Sequence, residues 1–213
     1  MKQKNQNNPS IERRFTVGEV ELRAEEGKPT VIRGYAALFG VRSSNLGGFI
    51  EVIEPGAFDG VLLDDIRALF NHDSNLILAR SKNGSGTLKV GTDQKGLWYE
   101  FQPDEGQSYA ADLVRAMKRG DVDQSSFAFS VARDGQAWED SKDGEKFVTI
   151  RTIKKVAKLY DVSPVTYPAY PDTTVATRSL EEYRKDHPDP ENPPAPPSEE
   201  EARRRQLELA EAE

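Results

Sequence analysis

The chain is 213 residues long, with 36 acidic and 29 basic residues, a formal net charge of −7 and no cysteine. Disulfides, thiol nucleophiles and thiolate metal sites are therefore excluded, and the basic footprint of a nucleic-acid binder is absent. Only two histidines occur, His72 and His187, which excludes a histidine-rich metal centre, and the 36% of hydrophobic residues is low for a compact domain, so part of the chain is expected to lie outside the core.

In chain order, residues 1–10 are polar and are expected to be disordered, without the apolar segment of a secretion signal. Phe15, Val17, Val20 and Leu22 alternate roughly, as in a strand, and 31–39 (VIRGYAALF) is a second strand. After Pro55, the spacing of Phe58, Leu62 and Ile66 predicts a short helix running into a strand over 66–71. Strands are expected at 87–90, 97–101, 126–131, 147–153 and 159–165, with glycine-bearing turns at 83–86 and 94–96. Between them, Tyr109, Leu113 and Met117 at i, i+4 and i+8 predict a helix over 108–119, capped by Ser108 and ended by Gly120. Seven or eight short strands at this spacing suggest a closed barrel or a sandwich. The folded domain is taken as 11–180, and 181–213 as a proline-rich acidic linker with a short C-terminal helix. Six of the 13 prolines fall between Pro188 and Pro197, and Ser198 with Glu201 fits a capping box. From 180 onward 11 acidic and 5 basic residues account for −6 of the net charge. No apolar run approaches the ~20 residues of a membrane helix, so no membrane partner is expected.

The informative polar residues stand against this strand pattern. In SSFAFSV, Phe127, Phe129 and Val131 share one face, and Ser126, Ala128 and Ser130 share the other, which is small and polar like a surface or an active-site floor. In LYDVSPV, Leu159, Asp161 and Ser163 share a face opposite Tyr160 and Val162. An acid in such a strand asks for a partner. Serine becomes a nucleophile when a neighbouring base takes its proton, and histidine oriented by a carboxylate is the usual base. His72 is the one histidine of the expected domain, and Ser126 and Asp161 are its natural partners by strand position. The bland readings are a solvated loop histidine, a packing serine, an acid paired with Arg151 or Lys158, and Asp73 as a turn residue. Arg119-Gly120-Asp121 reads as the end of a helix rather than an adhesion site, and Gly84-Ser85-Gly86 as a hairpin turn rather than a phosphate loop.

The order of segments carries more than any one of them: RGYAALFG (33–40), FIEVIEPGAFDGVL (49–62), IRALFNHDSNLILARS (66–81), LVRAMKRGDVDQSSFAF (113–129) and LYDVSPVTYPAYPDT (159–173). Together they resemble the prohead maturation proteases of tailed bacteriophages over about residues 12–178. The resemblance implies a serine endopeptidase with a fold like the herpesvirus assembly protease, assemblin. That fold is mostly β (α+β), a closed barrel of roughly seven strands flanked by helices. It implies His72 in Asn-His-Asp as general base and the serine before Phe127, Ser126, as nucleophile, with Ser125 as the backup candidate. The herpesvirus enzymes use a second histidine, which this domain lacks, so Asp161 is the expected third member. Alanine stands at 128 where many relatives carry glycine, and serine at 125 where many carry methionine; neither change removes a catalytic group.

The resemblance further implies that no cofactor or metal is used. It places the enzyme in the host cytoplasm, inside the immature capsid. Its expected partners are the major capsid protein, a scaffolding protein, or both, together with the protease itself through autocleavage and self-association; no nucleic acid is expected. The acidic tail suits docking on an assembling capsid before removal, or simple solubilisation. A different reading is a catalytically silent capsid-assembly or scaffolding module that keeps the barrel, and a small-molecule hydrolase is a third.

Overall fold

The computed structural model describes residues 11–16, 20–24, 27–143, 146–167 and 174–188. Its strands are β1 (Glu12–Thr16), β2 (Val20–Arg23), β3 (Val31–Leu38), β4 (Ile50–Ile53), β5 (Ile66–Phe70), β6 (Asp73–Lys82), β7 (Ser85–Gly86), β8 (Leu88–Thr92), β9 (Gly96–Phe101), β10 (Gln124–Val131), β11 (Gln136–Asp143), β12 (Lys146–Ile153) and β13 (Val156–Val165). Two helices, α1 (Ser108–Arg119) and α2 (Thr174–Asp186), accompany them. The chain is thus mostly β with few helices. Pairing gives three sheets, ordered β1-β10-β13-β5-β6-β7, β2-β3-β9-β8 and β11-β12-β4. Among the described residues no ladder joins the first two into a ring, although β1 lies beside β3 and β6 beside β8. One core fills the space between these sheets and α1, built on Ile32, Phe58, Ile66, Leu97, Leu113, Phe127, Phe129, Leu159 and Val162. The rings of Phe127 and Phe129 stack at 4.8 Å, and Phe58 meets Phe127 edge-on at 5.7 Å.

Several local expectations change. Residues after Pro55 make no α-helix. They form successive turns closed by i→i−3 bonds, Ala57 N–H to Glu54 O, Asp59 to Gly56, Val61 to Phe58 and Asp64 to Val61. Gly56 at φ +87° breaks any helical run, while Phe58 and Val61 still reach the core. Ile66 belongs to β5. The helix over 108–119 forms as expected, but its N-cap is Gln107, without a side-chain bond, and Ser108 is its first residue. Gly120 at φ +79° ends it, with Gly120 N–H bonded to Met117 O and Asp121 N–H to Ala116 O. The arginine and aspartate of the Arg119-Gly120-Asp121 triplet bond to each other at 2.8 Å. Asn83 and Gly84, both at positive φ, make the expected hairpin turn between β6 and β7. Polar β11 and short β4 carry too weak an alternation to be read from sequence.

β1 turns Glu12 and Arg14 inward, both buried. They meet Glu51 of β4 and Arg151 of β12 in a buried quartet. Arg14 Nε lies 2.8 Å from Glu51 Oε1, Arg14 Nη2 2.6 Å from Glu12 Oε2, and Arg151 Nη1 2.6 Å from Glu12 Oε2 and 2.9 Å from Glu51 Oε2. The charges balance, which is what makes their burial tolerable. Burial alone would raise the Glu12 carboxyl, but hydrogen bonds and charge from Arg151 and Arg14 outweigh it and hold Glu12 below its ordinary value. Arg151, named above as a possible partner of Asp161, is committed to this quartet and to Gln136.

A second, smaller core of Leu46, Phe49 and Ala176, with Trp138 and Leu180 against it, seats α2 on the three-stranded sheet. Arg184 of α2 grips the Asp140 carboxylate through both of its Nη atoms at 2.9 Å. His187 stacks on Tyr183 at 4.3 Å, beyond the end of α2. The expected disorder of 1–10 and the expected helix at 198–213 lie outside the described residues. No described helix is long and apolar enough to cross a membrane.

Candidate active site

Three elements build the site. β10 and β13 pair antiparallel with Ser126 opposite Ser163 and Ala128 opposite Asp161. Cross-strand partners share a face, so Ser126, Ala128, Asp161 and Ser163 lie together, and the small side chain of Ala128 leaves room for the carboxylate. The ladder slips at this point, from Ala128–Asp161 to Phe129–Leu159, leaving Tyr160 as the extra residue of a bulge. The bulge corrects the expected parity. Leu159 pairs with Phe129 and joins the core, whereas Asp161 keeps the serine face.

β5 and β6 bring the third group. Phe70 pairs with Asp73, so Asn71 and His72 are the two central residues of a tight hairpin rather than the start of a loop. Their φ values are +53° and +58°. A two-residue hairpin whose twist matches its strands needs positive φ at both positions, and asparagine tolerates this better than most residues. The turn is clamped to β13 by Asn71 N–H to Pro164 O at 3.1 Å and by Thr166 N–H to Asn71 Oδ1 at 2.9 Å. Asp73 Oδ1 accepts from Asn75 N–H at 2.8 Å, the turn role noted from sequence.

The hairpin sets the imidazole between the two strands. His72 Nε2 lies 2.6 Å from Ser126 Oγ, and His72 Nδ1 lies 2.6 Å from Asp161 Oδ1. With the proton on Nδ1 donated to the carboxylate, Nε2 is left as the acceptor for the serine hydroxyl. Ser126 Oγ is also 2.9 Å from the Arg14 carbonyl oxygen. One hydroxyl proton cannot serve both acceptors. It points to Nε2 when the imidazole is neutral and to Arg14 O when Nε2 carries a proton of its own. Ser163 Oγ donates to Asp161 Oδ1 at 2.9 Å.

Ser125 lies elsewhere. It shares the parity of Phe127, is fully buried, and donates to Tyr99 Oη at 3.0 Å. Burial pushes that phenol far up, the serine bond acting against it, so Tyr99 remains a neutral partner. His187, on α2's side of the molecule, takes no part. A cavity of about 260 Å³ lined by Leu38, Ile53, Phe127 and the Arg14–Glu51 pair contains none of the three side chains. Among the described residues no group of three or more acidic or histidine side chains is disposed to hold a metal ion.

A hydroxyl, an imidazole and a carboxylate in a chain of hydrogen bonds are the parts of an acyl-transfer catalyst. The matches of sequence point the same way. Residues 18–186 match the model of the caudovirus prohead serine proteases. The prohead protease of Enterobacteria phage HK97 is 32% identical over 171 residues, covering 79% of this chain and 69% of its own. The solved bacteriophage T4 capsid assembly protease, 13% identical, aligns over 76% of this chain and 100% of its own with a TM-score of 0.44. On the match of its sequence to that model and to the HK97 enzyme, the chain belongs to the prohead serine proteases of tailed phages, peptidases of capsid maturation.

Proposed function

We propose that Ser126 is the nucleophile of this protease, His72 its general base and Asp161 the carboxylate that orients the imidazole. The single observation that carries the reading is the unbroken chain Ser126 Oγ–His72 Nε2 and His72 Nδ1–Asp161 Oδ1, each link 2.6 Å. His72 takes the Ser126 proton as Oγ attacks the scissile carbonyl carbon. The tetrahedral intermediate collapses as the imidazolium returns that proton to the leaving amine, and the acyl-serine remains. Water then attacks, His72 takes its proton, and Ser126 is regenerated with release of the acid. The scheme needs the neutral imidazole, since only an unprotonated Nε2 can accept the Ser126 proton. No cofactor or metal enters the scheme.

The substrates in this reading are the scaffolding protein or scaffolding segment of the major capsid protein, and the protease itself, within the prohead in the host cytoplasm. Self-association accompanies autocleavage. The catalytic domain is taken as 11–180 and the acidic remainder as its removable tail, with α2 straddling the division. We also infer an assemblin-like closed barrel of roughly seven strands. It is supported by the contact of the two larger sheets along β1–β3 and β6–β8.

Intact mass of wild type and Ser126→Ala, each co-expressed with the cognate capsid protein, tests the reading. Shortened capsid protein and trimmed protease with wild type alone support it. Equal cutting by both variants removes Ser126 from the role.

A further inference from the structure

Ser163 stands directly across the β10–β13 pair from Ser126 and two residues along β13 from Asp161. It is fully buried. A serine there could be tolerated for its size alone, but its bonding says more. Its Oγ donates to Asp161 Oδ1 at 2.9 Å and lies 3.3 Å from His72 Nδ1. Oδ1 is the same oxygen that receives the imidazole proton. Two donors converging on one oxygen fix the rotation of the carboxylate about its terminal bond, and the hydroxyl proton offsets part of the charge that the imidazole senses.

We infer that Ser163 is a positioning residue of the site, holding Asp161 Oδ1 in line with His72 Nδ1 and moderating its charge. The inference rests on the catalytic roles proposed above. A purely structural serine would fill space at this position, and its hydroxyl would be dispensable.

The test uses the full chain with Ser163→Ala and Ser163→Cys, each alone and combined with Asp161→Ala. Cysteine keeps nearly the volume of serine but is a weak donor. A donor role makes both substitutions lose alike, whereas a packing role leaves Ser163→Cys near wild type. On a peptide spanning the cut found by intact mass, kcat/KM is expected to fall about 10-fold with either substitution. It should fall no further where Asp161 is already alanine, because the effect passes through that carboxylate. Equal losses in both backgrounds, or a Ser163→Cys protein as fast as wild type, overturn the inference.

A second readout needs no turnover. The chain has only two histidines, so the His72 Nδ1 proton is readily assigned by NMR. Without the Ser163 hydroxyl the carboxylate draws that proton more strongly, and its resonance moves downfield. An unmoved resonance in folded Ser163→Ala overturns the inference even in an inactive preparation. Failure of the underlying catalytic reading looks different, since Ser126→Ala would then cut like wild type.

Discussion

Asp161→Asn separates orientation from charge at this site. Both bonds to the carboxylate, from His72 Nδ1 and from Ser163 Oγ, arrive at Oδ1. An asparagine can keep its carbonyl oxygen in that place and accept the same two protons, with its NH₂ in the position of Oδ2. What it cannot supply is a negative charge beside the imidazolium that forms as Ser126 gives up its proton. Opposite charges with centres about 4 Å apart, at the effective dielectric of a protein site, attract by about 4 kcal/mol. Losing that attraction in the transition state lowers kcat/KM by about 10³-fold. Asp161→Ala removes the orienting oxygen as well and is expected to cost more. The assay is kcat/KM on a peptide substrate at neutral pH, with thermal unfolding as the check on the fold. A loss below about 10-fold at unchanged Tm would refute this reading and put the orienting group elsewhere.

Four further outcomes follow from the structure. Ser125→Ala deletes only the bond to Tyr99 Oη, so the urea midpoint should drop by an amount equivalent to about 1 kcal/mol while cleavage stays within a few-fold of wild type. Glu12→Gln leaves Arg14 and Arg151 short of one negative charge in a buried site, and unfolding free energy should fall by about 3–5 kcal/mol. Glu12 also sets a pH dependence. Its folded value lies below the ordinary 4.5, so its contribution is complete above that pH and is lost as the pH falls through the folded value; chemical denaturation between neutral and acid pH should show this loss, and Glu12→Gln should flatten it. Asn71→Ala removes the bond to Thr166 N–H and leaves a residue with no polar side chain at φ +53°. Stability should fall by about 1–2 kcal/mol and kcat/KM by about 10-fold, whereas Asn71→Gly should recover Tm but not the rate.

Much of the site was legible because the β10 pattern is clean. The period-two alternation around Phe127 and Phe129 put Ser126 on the opposite face, and the same parity, applied one residue earlier, sets Ser125 against the core. His72 stood out as the one histidine before the proline-rich segment. The partnership with Asp161 was harder to place on a face. The bulge at Tyr160 changes the parity of β13, and a bulge leaves no mark in a pattern of apolar residues. The helix expected after Pro55 failed because periodicity registers Phe58 and Leu62 but not the left-handed Gly56 that precedes them and sets the chain into turns. The buried quartet was invisible for a different reason. Glu12 and Arg14 alternate with residues that read as exposed or apolar in a strand of ordinary polarity, and only Glu51 and Arg151, 37 and 137 residues further on from Arg14, explain why charged side chains point inward. Ser163 shares a face with Asp161 by simple alternation, since the bulge lies before Asp161, so its place was legible, but a strand pattern does not mark which hydroxyl bonds to which carboxylate.

The three side chains of the proposed triad stand on elements of unequal stiffness. Ser126 and Asp161 occupy interior strands of the six-stranded sheet, β10 paired with β1 and β13, and β13 paired with β10 and β5, so their separation is fixed by ladders on both sides. A peptide cannot add as a further strand beside Ser126, since β10 has no free edge there. Ser126 is also fully buried, so a substrate must approach over the face and move something aside. His72 sits on a two-residue turn, exposed at Asn71, whose two positive-φ residues each carry a conformational cost of about 1–2 kcal/mol. The Asn71 bonds to Pro164 and Thr166 and the imidazole bonds to Ser126 and Asp161 offset that cost. Proton transfer in the proposed scheme therefore depends on one turn. A substitution that loosens it, such as Asn71→Ala, orients the base less well, so the loss in kcat/KM should fall on kcat with KM little changed, and a KM that carries the loss instead would place the turn in peptide binding rather than in holding the base.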